Sequence, residues 1–262
     1  MKRILVPVSF SETSKNALIH AFSIAREFGG KLSLLHCSPT YEYARQFDFG
    51  DEDYETGIRD KLTEFYRNCI KDGGDYLYSR IACFGSVSEF AYRKGPEFDL
   101  LVMSRKIGFQ SNSNAWLGDK LYTISQEALC PVLITSTQPH GFSFQKAVNI
   151  WHIQKNISET ELVRDSVQSL GIEPELVITK TLQQESFISL FWQNIVAYTK
   201  SHEEELLKEI SRSFDKEKID LLVLVNNRKG MFEIFLKDDV FQIISQFDIP
   251  ILILQAQEQI AQ

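Results

Sequence analysis

The second half of the chain repeats the order of the first. Asp99-Leu-Leu-Val-Met returns as Asp220-Leu-Leu-Val-Leu, 121 residues on. Trp116-Leu117-Gly118-Asp119 returns as Phe235-Leu236-Lys237-Asp238, and Cys130-Pro131-Val-Leu-Ile as Ile249-Pro250-Ile-Leu-Ile, both at an offset of 119. The difference between the offsets makes one strand-to-helix loop longer in the first copy. A strand, a loop, a helix and a proline-led strand differ in period, so a shared offset across them marks a repeat. Ser158-Glu159-Thr160 likewise repeats Ser11-Glu12-Thr13 where each copy's first helix begins. The 262 residues are therefore expected to form two domains, 1–138 and 142–262, joined around Pro139-His-Gly141.

Within the first copy, short apolar runs alternate with helical periodicity. Residues 4–8 form a run suited to a strand covered on both faces. Ser11 opens a helix in which Ala17, Leu18, Ala21, Phe22, Ile24, Ala25 and Phe28 recur at helical spacing, and Gly29-Gly30 ends it. Strands follow at 32–37, 76–83, 99–103 and 131–135, with helices to about residue 72, at 86–94 and at 119–129 between them. Five strands, each followed by a helix or leading from one, predict a doubly wound α/β domain with a five-stranded parallel sheet. The second copy reads as strands at 147–153, 175–180, 195–199, 220–225 and 251–254. Its helices fall at 158–170, 203–214 and 238–247, with an abbreviated helical piece at 187–192.

Composition narrows the function. The hydrophobic fraction of 44% suffices for two cores. No apolar run approaches the roughly 18 residues of a membrane span, and Met1-Lys-Arg leads directly into a strand, so neither a membrane partner nor a signal peptide is expected. Cys37, Cys69, Cys83 and Cys130 lack C-x-x-C spacing and read as buried free thiols, which suits a cytoplasmic location. Residues 1–139 carry 16 basic and 17 acidic side chains, and residues 140–262 carry 12 and 18. An acidic second half argues against nucleic acid as a partner, since that binding rests on neutralised phosphates. Glu203-Glu204-Glu205 reads as a solvated first helical turn.

The opening Ile4-Leu-Val-Pro-Val with Phe10-Ser-Glu-Thr-Ser-Lys-Asn-Ala-Leu resembles that of universal stress proteins. Asp99-Leu-Leu-Val-Met, then a loop, a helix and Cys130-Pro131-Val132-Leu133, resembles their closing half. The whole chain looks like a tandem universal stress protein. The resemblance implies five-stranded parallel sheets, often with ATP above the strands' carboxyl ends at the topological switch point. It also implies pairing through the final strands, here between the two copies as an intrachain pseudo-dimer, with a homodimer as the fallback.

Residue by residue, the family's nucleotide motif is incomplete. Ser9 stands where ATP-binding members have Asp. Gly108 and Gly118 match the second and third glycines of the phosphate loop. Arg105, or Ser104 with a one-residue slip, takes the first glycine's place, and Asp119 replaces the final Ser or Thr. Glycines let backbone N–H groups turn towards phosphate, whereas an Asp at a helix start caps those groups itself and repels a triphosphate. In the second copy Lys237-Asp238 stand where Gly118-Asp119 stand, Asn156 lies opposite Ser9, and Arg228 and Lys229 sit on a shorter loop.

No catalytic constellation emerges. His20, His36, His140, His152 and His202 show no metal-ligand spacing, so no metal is expected, and neither a nucleophile elbow nor a Walker loop is present. Asp99 and Asp220 read as helix-to-strand turns. Tyr41, Tyr43, Phe47, Phe49 and Tyr54 read as core-covering packing or as a partner surface on a loop. The expectation is a non-enzymatic stress-response protein acting through an unidentified protein partner, its nucleotide sites degenerate. The alternatives are an ATP-binding switch using Gly108 and Gly118, and an adenylyl-transfer enzyme.

The repeat makes a claim about fragments. An apolar terminal strand left as an edge invites pairing. Residues 1–138 alone should self-associate in sedimentation, and residues 141–262 alone should be poorly soluble or show reduced circular dichroism. A monomeric, well-folded second half contradicts this.

Overall fold

Apolar runs become strands wherever they are long enough to be covered on both faces. In the first unit these are β1 (Arg3–Pro7), β2 (Lys31–Ser38), β3 (Tyr78–Phe84), β4 (Leu100–Ser104) and β5 (Val132–Thr135). Helices α1 (Glu12–Phe28), α2 (Tyr54–Cys69) and α3 (Val87–Lys94) lie between them, with a 3-10 turn at Gly95–Glu97. The second unit contributes β6 (Asn149–Gln154), β7 (Leu176–Thr181), β8 (Leu221–Asn226) and β9 (Ile251–Gln255). This computed structural model describes residues 2–38, 54–71, 76–104, 123–124, 127–136, 149–154, 165–166, 168, 176–181, 221–226 and 249–255. The chain divides into Met1–Phe144 and Gln145–Gln262. The expected strand at 195–199 and helices at 187–192, 203–214 and 238–247 lie outside the described residues.

In the first unit the strand order is β3-β2-β1-β4-β5, and every pairing is parallel. Between β1 and β4 the order reverses, because the chain winds outwards from β1 to β3 and then restarts at β4. In the second unit β9-β8-β6-β7 are likewise joined in parallel. Their sequence follows that of β5-β4-β1-β2. Leu101 faces Val132, and Leu222 faces Ile251. Leu101 N donates to Pro131 O at 2.9 Å and Leu222 N to Pro250 O at 3.1 Å. A proline led into each of these strands because its carbonyl still accepts a ladder bond while its missing N–H is not needed there.

Burial explains the strand compositions. Leu5, Leu34, Leu101 and Leu133 are fully buried, each contributing about 1.5–3 kcal/mol by leaving water. The apolar stripe of α1 is buried through Ala17, Leu18, Ala21, Phe22, Ile24 and Ala25, against β1, β2 and β4. Ser11 caps the helix, accepting from Ser14 N while Ser14 Oγ accepts from Ser11 N. Ile58, Leu62 and Tyr66 turn α2 inwards. β3 differs, its residues being half-buried or exposed, as an edge strand allows. It starts at Tyr78 rather than at residue 76: Leu77 is 72% exposed, and Tyr76 spends its hydroxyl on Gly30 O.

The two glycines after α1 are distinct in role. Gly29 takes the left-handed C-cap conformation at φ 61°, and Gly30 passes so close to β1 that an added Cβ would lie 2.9 Å from Lys2 O. Gly30→Ala should therefore destabilise the fold by about 1–3 kcal/mol through a backbone shift, and Gly29→Ala by about 1 kcal/mol through left-handed strain. Urea unfolding of the two variants checks the order.

Candidate functional site

The carboxyl ends of β1, β2 and β4 converge at the reversal of strand order, where open α/β sheets bind ligands. β1 leaves this point through Val8, Ser9 and Phe10 into the cap of α1. Phe10 has a positive φ of 58°, a conformation costly for a non-glycine residue. Its ring packs on His36, with centroids 4.8 Å apart, and edge-on against Phe65 at 5.7 Å. Those contacts hold the turn that aims the start of α1 at the sheet's carboxyl edge.

Hydroxyls line that exit and are joined to one another. Ser9 Oγ and Ser11 Oγ are 2.9 Å apart, as are Ser11 Oγ and Thr13 Oγ1. Ser11 Oγ also accepts from Ser14 N at 3.3 Å. The cap of α1 is thus occupied by its own side chains. Asn16, one turn further on, donates from Nδ2 to Ser136 O at 2.7 Å and ties the helix to the end of β5.

His36 is the best-connected buried polar group at this edge. Its Nδ1 lies 2.8 Å from Val8 O, so Nδ1 carries the proton and Nε2 is left to accept. Ser38 Oγ stands 3.4 Å from Nε2, and Tyr54 donates its hydroxyl to Ser38 Oγ. A chain of polar groups therefore runs from Tyr54 through Ser38 and His36 to the backbone of β1. Burial holds His36 below its ordinary value, helped by Lys61 and opposed by the bond to Val8. The neutral imidazole can accept or relay a hydrogen bond.

Of the sequence-derived candidates, Ser9 lies at the exit of β1 and Ser104, buried, ends β4. Since β1 and β4 are neighbours, both belong to the switch point. Arg105, Gly108, Gly118 and Asp119 lie outside the described residues, as do Tyr41, Tyr43, Phe47 and Phe49. Tyr54, read as part of a loop, is instead the first residue of α2, stacked on Phe84 with centroids 4.6 Å apart. Sequence reasoning missed Phe10, whose turn carries no glycine to mark it. Asp99, read as a turn, does more: its Oδ2 accepts from Arg3 N at 2.7 Å, tying β4 to the entry of β1. Among the described residues no group of three His, Cys, Asp or Glu could hold a metal ion, and no helix is long and apolar enough to cross a membrane.

The pH response follows from His36. Below 6.5 the unfolded chain binds a proton that the folded chain resists, so stability falls as pH drops through that value and is unaffected above it. His36→Gln keeps a donor for Val8 and should flatten this part of the profile. Thermal melts of both proteins from neutral to mildly acidic pH measure it.

The family model described as the universal stress protein family matches residues 1–136. A universal stress protein from Archaeoglobus fulgidus superposes with a TM-score of 0.59 at 12% identity, covering 98% of this chain and 97% of its own. A protein of unknown function from Pseudomonas aeruginosa does so with 0.57 at 14%, covering 97% and 92%. A further universal stress protein from that organism gives 0.54 at 14%, covering 97% and 93%. At such identities the likeness is one of fold. No curated protein matches the chain.

Proposed function

The chain belongs to the universal stress protein family, and from that premise we propose a non-enzymatic tandem stress-response protein that works through protein contacts in the cytoplasm. One observation carries this reading. The hydroxyls of Ser9, Ser11 and Thr13 are bonded to one another at the exit of β1, where a nucleotide needs a carboxylate for its nucleoside and open N–H groups for its phosphates. Ser9 puts a hydroxyl where that carboxylate would stand. Asp119, which the sequence reading sets at a helix start, would add negative charge against a triphosphate. At the same edge Phe84 is 49% exposed and stacked on Tyr54, an aromatic surface suited to a protein partner.

The tandem reading draws on the shared offset and on the matching β4–β5 and β8–β9 registers. In it the two copies form an intrachain pseudo-dimer through their last strands, antiparallel to each other. Pairing covers two apolar edges at once, and a homodimer through the same strand is the other assembly.

An ATP-binding switch with weak or no hydrolysis, built on Gly108 and Gly118, is favoured by a different observation. Thr135 Oγ1 is buried with no hydrogen-bond partner among the described residues, and Thr135 is register partner to Ser104 at the ends of β5 and β4. A buried hydroxyl left unpaired costs about 1–3 kcal/mol, which a polar ligand would relieve.

Calorimetry with ATP separates the two readings. The unmodified protein should show no micromolar binding. Asp119→Ser should strengthen binding about ten- to a hundred-fold, from about 1–3 kcal/mol for removing a charged competitor, and adding Arg105→Gly and Ser9→Asp should strengthen it further. Micromolar ATP binding by the unmodified protein overturns the degenerate-site reading in favour of the switch.

A further inference from the structure

Two cysteines far apart in sequence meet across β2 and β3. Cys37 and Cys83 are register partners in the parallel pairing, and their sulfurs stand 3.2 Å apart. A disulfide needs Cα atoms about 4.4–6.8 Å apart and sulfurs at about 2.05 Å. Neighbouring strands run about 4.7–4.9 Å apart, so the backbone already satisfies the first condition. Rotation of the side chains and an approach of about 1 Å satisfy the second. The strand that must give is β3, whose neighbour within the first unit is β2 alone.

We propose that Cys37 and Cys83 are a redox-active dithiol that closes to an intrachain disulfide when the protein meets a peroxide. Cys83, only half-buried, is the attacking sulfur. Its thiolate displaces hydroxide from hydrogen peroxide, breaking the O–O bond and forming a sulfenic acid. The Cys37 sulfur then attacks the sulfenic sulfur, its proton leaving with the sulfenic hydroxyl as water. Overall two thiols lose two electrons and two protons, and one peroxide becomes two waters.

The surroundings assign these roles. The hydrogen bond between the two sulfurs holds the Cys83 thiol below its ordinary value, against burial, Glu89 and Glu55. The same bond, with burial, pushes Cys37 up, as befits the partner that reacts second. Cys69 and Cys130 are pushed up to about 11 and about 12, in each case chiefly by burial, and lack a second sulfur close by among the described residues. They serve as internal controls. The new bond would form between His36 and Ser38 in sequence, so oxidation would act on the polar chain that reaches β1. The inference does not depend on whether a nucleotide binds.

The test uses the full-length, fully reduced protein treated with hydrogen peroxide, then alkylated and digested without reductant. Free thiols should fall from four to two. Mass spectrometry should show the Cys37 and Cys83 peptides joined with loss of two hydrogens, and dithiothreitol should restore all four thiols. In Cys37→Ser the sulfenic acid on Cys83 should persist and be trapped by dimedone. The peptide map of the unmodified protein decides the matter even if that variant fails to fold. Four alkylated thiols after peroxide, a disulfide between two chains, or a link involving Cys69 or Cys130 would overturn the proposal.

Discussion

A strand with a parallel neighbour on each side has no free edge, and β1 is in that position between β2 and β4. Its residues beyond Arg3 are all buried. Both its ends are fastened by bonds to those neighbours. At the entry, Arg3 N donates to Asp99 Oδ2 at 2.7 Å and Asp99 N to Arg3 O at 2.9 Å. At the exit, Val8 N donates to Leu35 O at 2.7 Å, and Val8 O accepts from His36 at 2.8 Å. The direction in which the chain leaves the sheet is therefore set before the turn at Phe10 begins. The cap of α1, the position of Ser9 and the polar chain from Tyr54 all inherit that direction.

Buried polar bonds matter more here than charges do. The ion pairs among the described residues, such as Lys15 with Glu12 and Arg59 with Glu55, join exposed side chains within one helical turn. Such pairs contribute little in water. His36, by contrast, is 1% exposed, and leaving its ring nitrogens unmatched would cost far more than losing a surface pair. Among the described residues the first unit's carboxyl edge is ordered by neutral groups, hydroxyls and an uncharged imidazole, that satisfy one another.

Strands β1, β2, β4 and β5 were legible because each must be apolar on both faces, a pattern that few loops share. The helix α1 was legible because its cap and its terminal glycines bracket an apolar stripe. Errors came where one interaction outside the local pattern decided the outcome. Tyr76 looks like a strand residue, yet its hydroxyl is spent on Gly30 O and the strand starts later. Ser38 looks like the start of a loop, yet its backbone carbonyl accepts from Gly85 N at 2.9 Å and keeps it in β2. Tyr54 looks like a loop aromatic until α2 is seen to begin with it. Ser9 and Ser104 were picked out by the family resemblance, and they lie just past β1 and at the end of β4. The turn at Phe10 and the meeting of Cys37 with Cys83 were not legible, since neither a left-handed phenylalanine nor a 46-residue separation leaves any local trace.

The bond between Arg3 and Asp99 spans 96 residues, and that span has a consequence during synthesis. β1, α1 and β2 can assemble soon after they are made, because their contacts are local. The other edge of β1 belongs to β4, which leaves the ribosome later by about 5–20 s at about 5–20 residues per second. Through that interval the nascent chain carries an open, apolar strand edge of the kind that aggregates. A chaperone that shields such edges would find its substrate here in the half-made first domain, before the chain has acquired any of the surfaces it presents when folded.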